Sequence, residues 1–395
     1  MLELGGINFH ILELFLPIAI LAIIPAISGR IRVYWPRGIK IYAVSVWIFL
    51  ISLLASSFVA VSPETALLRG GLKWLEVFGV SLMVFLYCSS MKRFKKIWWL
   101  LAIGSLLSAA GAWYLDFWRY NPNISLIGLE PSLLLVALRK IAAYDFLVVL
   151  CLILPFAFRY SVAVPISAVL ICGIFASLSR GPIVTLMVVL GYWLKQELRH
   201  RAKIKIWPVY TLFFILLVGG TLFGLSVPLF REVLTLRLGE IETVNIRLRM
   251  SLLSKAFQAF VESPLIGIGA ENFAEYLFSK GAFPEGHPEV ATLAPHNLFV
   301  QVAAENGIIG FFGLAVLFLN LYIILFRKAT FGPETTWLLG LRLLFFVHFI
   351  GTGLLGYIGA SGRLLFGLFA GLVLASLRTV EFTAKTHSRE RQVFH

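Results

Sequence analysis

Pro295-His296-Asn297-Leu298-Phe299-Val300-Gln301, continued by Glu305-Asn306-Gly307-Ile308-Ile309-Gly310, opens an apolar run that extends to residue 326. That run exceeds the roughly 20 apolar residues that carry a helix across a bilayer. Its entrance is polar. A histidine and an amide stand where a polar loop ends, and a carboxylate follows deeper in. A titratable imidazole at such a boundary points to chemistry at the lipid–water interface. The plainer alternative is a histidine that only anchors the helix.

Outward from this run, the rest of the chain has the same character. Of 395 residues, 59% are hydrophobic and 14% charged, and the mean hydropathy is +0.90. A soluble domain carries about a quarter charged residues. The apolar residues form blocks near 11–28, 41–61, 72–90, 97–115, 144–159, 161–178, 182–195, 207–228, 296–326, 336–357 and 362–379. The blocks do not alternate apolar with polar, as barrel strands would, so they predict helices. The fold class is an all-α polytopic integral membrane protein with 11–12 transmembrane helices, the twelfth being a short helix hidden around 1–28. The first block has no basic segment before it and reads as a retained helix. Cys88, Cys151 and Cys172 all lie in apolar blocks, where a thiol acts as a small hydrophobe. Their spacing supports neither a metal site nor a disulfide framework.

The net charge of +14 sits mostly in short loops. Arg30–Lys40, Met91–Lys96, Lys195–Lys205, Arg327-Lys328 and the tail Lys385–Arg391 are basic, and alternation places them on one side, the cytoplasm. The charge is therefore topological and implies no nucleic acid partner. The expected organisation is N-terminal transmembrane helices over 1–228, an outer-face loop over 229–295, C-terminal transmembrane helices over 296–379, and a cytoplasmic tail over 380–395. Segment 116–143 also faces outward. The loop contains an amphipathic run, Leu252 to Phe260, closed by the turn Pro264-Leu265-Ile266-Gly267-Ile268-Gly269. Such a run suits a helix lying on the membrane surface and meeting lipid.

Three outer-face features carry possible chemistry. Arg180, in Ser177-Leu178-Ser179-Arg180-Gly181-Pro182, sits between two apolar blocks. Arg247 and Arg249 flank Leu248 just before the amphipathic run. The third is His296. Arginine's planar fork suits phosphate, so these groups could hold a diphosphate beside a base. The alternatives are a snorkelling anchor for Arg180 and solvated loop charges for Arg247 and Arg249. A helix N-terminus disfavours imidazolium, which keeps a base neutral and competent. Glu305 lies about 13 Å deeper than His296 and half a turn away. It is expected to be structural, pairing with a basic group from another helix. Asn297 is a supporting residue. Gly307, Gly310 and Gly313 are close-packing positions. His287 reads as a loop residue and His348 as a packed histidine. No clustered carboxylates suggest a metal.

The run Ile246 to Phe273, with Arg249, Glu262-Ser263-Pro264-Leu265-Ile266-Gly267-Ile268-Gly269 and Asn272-Phe273, resembles the bacterial O-antigen ligase and polymerase family when joined to Pro295-His296-Asn297 and Glu305–Gly310. The Ser179-Arg180-Gly181 step is also similar. The resemblance covers about 170–315 by motif. Where that family often has a tryptophan four residues after the loop arginine, this chain has Leu253. The resemblance implies a GT-C-like, multi-span glycosyltransferase of the inner membrane, active on the periplasmic face. Its donor would be an undecaprenyl-diphosphate-linked glycan and its acceptor lipid A-core or another glycan, with no metal or other cofactor. Arg180 and Arg249 would hold the diphosphate, Arg247 would add a second cation, and His296 would be catalytic. A lipid-linked glycan transporter is a different class, but it should show inverted repeats and midplane polar sites, and no repeat is visible. A membrane scaffold would leave the arginine–histidine set without a role.

Overall fold

The computed structural model describes residues 2–4, 7–9, 37–120, 142–157, 160–176, 180–200, 240–281, 294–295, 297–328, 335–355 and 363–377. A small antiparallel hairpin comes first, β1 (Leu2–Leu4) with β2 (Ile7–Phe9), where Leu2 faces Phe9. It precedes the expected block 11–28 and is the one non-helical element among the described residues of an otherwise all-α chain. Helices make up the rest. They are α1 (Arg37–Ser57), α2 (Leu72–Tyr87, preceded by a π-helical turn Thr65–Gly71), α3 (Met91–Tyr120), α4 (Ala142–Ile153), α5 (Ala163–Ala176), α6 (Arg180–His200), α7 (Glu240–Glu262), α8 (Phe273–Ser279), α9 (Leu298–Ile323), α10 (Thr335–Phe346) and α11 (Arg363–Leu377).

Three stretches are long and apolar enough to cross a membrane: Gly38–Ser57, Thr65–Tyr87 and Leu298–Phe326. Shorter apolar helices cover Ala143–Phe156, Ala163–Phe175, Thr336–Gly351 and Arg363–Leu377. This helical set is consistent with a membrane protein. The expected blocks 11–28 and 207–228 lie outside the described residues, and the others fall on helices. The basic loop expected at 91–96 is instead the first turn and a half of α3. Lysine and arginine are good helix formers, and their long stems let the helix run past the apolar block. The amphipathic helix is also longer than expected, beginning at Glu240 rather than near Leu252.

The chain forms two compact units. In the first, α1 and α9 pack along their length. A Cβ at Gly313 would meet the Phe49 backbone at 3.0 Å, and one at Gly310 would meet Ser52 Oγ at 2.8 Å. These glycines serve close packing, as small residues do between membrane helices. Asn320 Nδ2 donates to the Gly38 carbonyl at 2.8 Å. Phe49, Trp74 and Phe78 form a ring cluster beneath them. Helix α11 lies as close to α2, since a Cβ at Gly371 would meet the Ser81 carbonyl at 2.6 Å. The second unit holds most of α3, the α4–α5 hairpin and all of α6. There Ser108 Oγ donates to Asp145 at 2.7 Å, Tyr144 donates to the Gly351 carbonyl at 2.7 Å, and His348 is buried.

Helix α9 is broken inside its own length. Gly307 has φ 65° and ψ −168°, and residues 264–269, the loop that ends α7, fill the break. Ile268 N–H donates to the Ala304 carbonyl at 3.0 Å, Gly269 N–H to the Glu305 carbonyl at 2.9 Å, and Ile308 N–H to the Pro264 carbonyl at 2.8 Å. Backbone groups freed by a helix break inside a membrane need partners from the protein, and the loop supplies them. The approach is so close that a Cβ at Gly267 would meet the Glu305 carbonyl at 2.3 Å, and one at Gly307 would meet Leu265 at 2.3 Å. Both glycines have positive φ, which alone costs an alanine roughly 1–2 kcal/mol. Gly267→Ala and Gly307→Ala should therefore each lower the thermal midpoint of the purified protein by several degrees. Gly281→Ala shares the positive φ but meets nothing within 4 Å, so it should lower the midpoint least. Equal midpoints for the three variants would contradict the lock.

Candidate functional site

The polar entrance of α9 is built by Asn297. Its extended backbone (φ −146°, ψ 112°) stops the helix, and its Oδ1 accepts from Val300 N–H at 3.0 Å. Asparagine is a favoured N-cap, and it starts the helix at Leu298, two residues after the expected start at His296. Its Nδ2 donates to the Leu354 carbonyl at 3.2 Å, which ties the helix start to the end of the π-helical stretch Val347–Leu354. His296 lies outside the described residues, immediately before this cap. Pro295 on its other side is buried.

One turn below Asn297 stands Gln301, and one turn below that Glu305, so the three share a face. Gln301 Nε2 donates to Glu305 Oε1 at 3.1 Å, and both residues are buried. Among the described residues no ion pair joins Glu305 directly. The basic partners expected for it go to Glu271, at the end of the loop in the helix break. Lys73 Nζ lies 3.1 Å from Glu271 Oε2, and Arg363 Nη1 lies 3.1 Å from Glu271 Oε1. Arg363 is only 5% exposed at its side chain. Beside this network Asn272 closes the loop, accepting from Ser62 N–H at 2.7 Å and donating to the Ser62 carbonyl at 3.2 Å.

Burial pushes the Glu271 carboxyl upward, but the charges of Arg363 and Lys73 outweigh it and hold the group below its ordinary range. A carboxyl depressed in the folded state stabilises the fold above its unfolded pKa, about 4.3. That contribution disappears as pH falls through the lower folded value. The expected result is a wild-type thermal midpoint well above that of Glu271→Gln at neutral pH. The gap should begin to narrow as the pH falls below about 4.3 and should close only below the lower folded value. A gap that shows no narrowing at any pH below about 4.3 at which the protein still folds would contradict the ion network.

The arginines fall on helices. Arg180 is the first residue of α6 and is followed by Gly181 and Pro182, a first turn that tolerates proline. Arg247 and Arg249 belong to α7 rather than to a loop. They stand about 200° apart around its axis, because each residue advances about 100°. Arg249 is exposed. On the same helix Leu252, Ala256 and Ala259 are buried while Met250, Phe257 and Val261 are exposed, the two-faced pattern expected of the run. Leu253, at the position of the family's tryptophan, is half-buried.

Sequence spacing did not reveal Lys73, Glu271 and Arg363 as a set. Their signal was the presence of lone cations at the ends of two apolar blocks, since ionisable groups near membrane depth usually have partners. Residues 165–315 match the family model described as O-antigen ligase. The matched stretch contains Arg180, Arg247, Arg249, Glu271, His296, Asn297 and Glu305, and it supports the resemblance seen in the motifs. No curated protein matches the chain.

Proposed function

We propose that the protein transfers a glycan from undecaprenyl diphosphate to an acceptor hydroxyl at the periplasmic face of the inner membrane. The most specific form is ligation of O-antigen to lipid A-core in lipopolysaccharide biosynthesis. The observation that carries it is the O-antigen ligase match over 165–315, which holds Arg180, Arg249 and His296 in one stretch. In this reaction Arg180 and Arg249 grip the diphosphate with Arg247 as a further cation. They stabilise the charge that grows on the leaving phosphate, the work that a metal does in other transferases. His296, next to the N-cap of α9, takes the proton from the acceptor hydroxyl as it attacks the anomeric carbon. A single displacement inverts that carbon and leaves no glycosyl-enzyme.

The alternative within the same chemistry is a polymerase, in which the acceptor is a second carrier-linked glycan. The two differ in what grows. Protein reconstituted in liposomes should be given the carrier-linked glycan with or without lipid A-core. Ligation requires lipid A-core and adds the glycan mass to it. Lengthening of the carrier-linked glycan without lipid A-core would assign the polymerase. Movement of intact carrier across the bilayer with no bond made would assign a transporter.

A further inference from the structure

The loop between α7 and α8 is held more firmly than a connection of ten residues requires. It fills the break in α9 with three backbone hydrogen bonds. It is also fastened by Glu271, whose carboxylate takes Lys73 on one oxygen and Arg363 on the other. Among the described residues Glu271 is the only non-glycine residue with a positive φ, 56°, a conformation that a β-carbon disfavours. A strained backbone persists only where its surroundings dictate it. Here the surroundings are two cations from α2 and α11 and the asparagine clamp on Ser62.

We propose that Glu271 is a positioning residue for the glycan transfer described above, on which this role rests. Its double ion pair fastens to α2 and α11 the loop that ends α7 and fills the break in α9, and so sets Arg249 relative to the helix that follows His296 in the chain. The leverage is large. Arg249 lies thirteen residues before the end of α7, about 20 Å along the axis. A tilt of about 5° at the lock moves it by about 2 Å over that length. A misplacement of about 1 Å is enough to cost a reaction about a hundredfold. Glu271 is doubly paired, so it is suited to hold a helix and not to exchange protons.

The test combines a distance with a rate. Spin labels at Met250→Cys and Val300→Cys, in a chain with Cys88, Cys151 and Cys172 replaced by alanine, report on α7 against α9. The parent should give one narrow distance distribution. Glu271→Gly removes the carboxylate while accepting φ 56° without strain, and it should broaden or shift that distribution. It should also lower kcat/KM per folded molecule by about tenfold to a hundredfold. Lys73→Gln should move both readouts the same way but less, and Lys73→Arg should restore them. A purely structural Glu271 would lower the thermal midpoint and leave both readouts unmoved, which overturns the proposal, as does a change in only one of them. A parent that transfers no glycan overturns the reaction and this role with it. An unmoved distance in a transferring protein overturns the role alone.

Discussion

His296→Ala is expected to abolish detectable glycan transfer while the protein still folds and still binds its donor. General acid–base groups typically contribute about 10² to 10⁴-fold, so the loss should be at least about a hundredfold. The residue lies one position before the N-cap Asn297, where the apolar run begins in the sequence. Donor binding should survive, because in the proposed reaction the arginines and not His296 hold the diphosphate. A histidine that only anchored the helix would give the reverse pattern, lower stability with activity in proportion to the folded fraction. Turnover per folded molecule and the thermal midpoint, measured on the same sample, separate the two. Near wild-type turnover in a well-folded variant would remove His296 from the mechanism and make Arg247, or a carboxylate of the segment 229–295 such as Glu285, the next residue to test.

The second large effect falls on the arginines. Arg180→Lys and Arg249→Lys each keep the charge but lose the planar fork that grips two phosphate oxygens at once. A lost charge-assisted contact costs roughly 1.5–3 kcal/mol, so each variant should lose about tenfold to a hundredfold in kcat/KM for the donor. Arg247→Lys should lose less, because position 247 lies about 200° around α7 from Arg249. The measurement is donor titration at saturating acceptor. Unchanged values for both Arg180→Lys and Arg249→Lys would reject the diphosphate clamp.

Much of the helical frame was legible in the chain because membrane blocks are read from length and hydropathy alone. The start of α9 was legible to within two residues from the onset of the apolar run at 296, while the capping role of Asn297 came only with the structure. The break at Gly307 was not. Glycine within a helical pattern is tolerated, so periodicity runs through Asn306-Gly307 without interruption. The break exists only because loop 264–269 offers its backbone groups from elsewhere in the chain. The ion network is distant in the same sense. Glu271 is separated by 198 residues from Lys73 and by 92 from Arg363, and no local pattern spans such intervals. Glu305, expected to take a basic partner, illustrates the limit. The sequence gives reason to expect a basic partner for a carboxylate at that depth, but only the fold decides that the cations reach Glu271 instead. Helix α7 is a smaller case. Its amphipathic segment was visible, but its first three turns carry Glu240, Glu242, Asn245 and Arg247, which mask any apolar stripe.

The most direct measurement is stoichiometry in a purified system. The protein, a carrier-linked glycan and lipid A-core are incubated in liposomes with a metal chelator, and both products are followed by mass spectrometry. One undecaprenyl diphosphate should be released for each glycan joined to lipid A-core, with inversion at the anomeric carbon and no loss of rate to the chelator. Carrier that remains glycan-bound in the presence of folded wild-type protein and acceptor would contradict the transfer reaction itself.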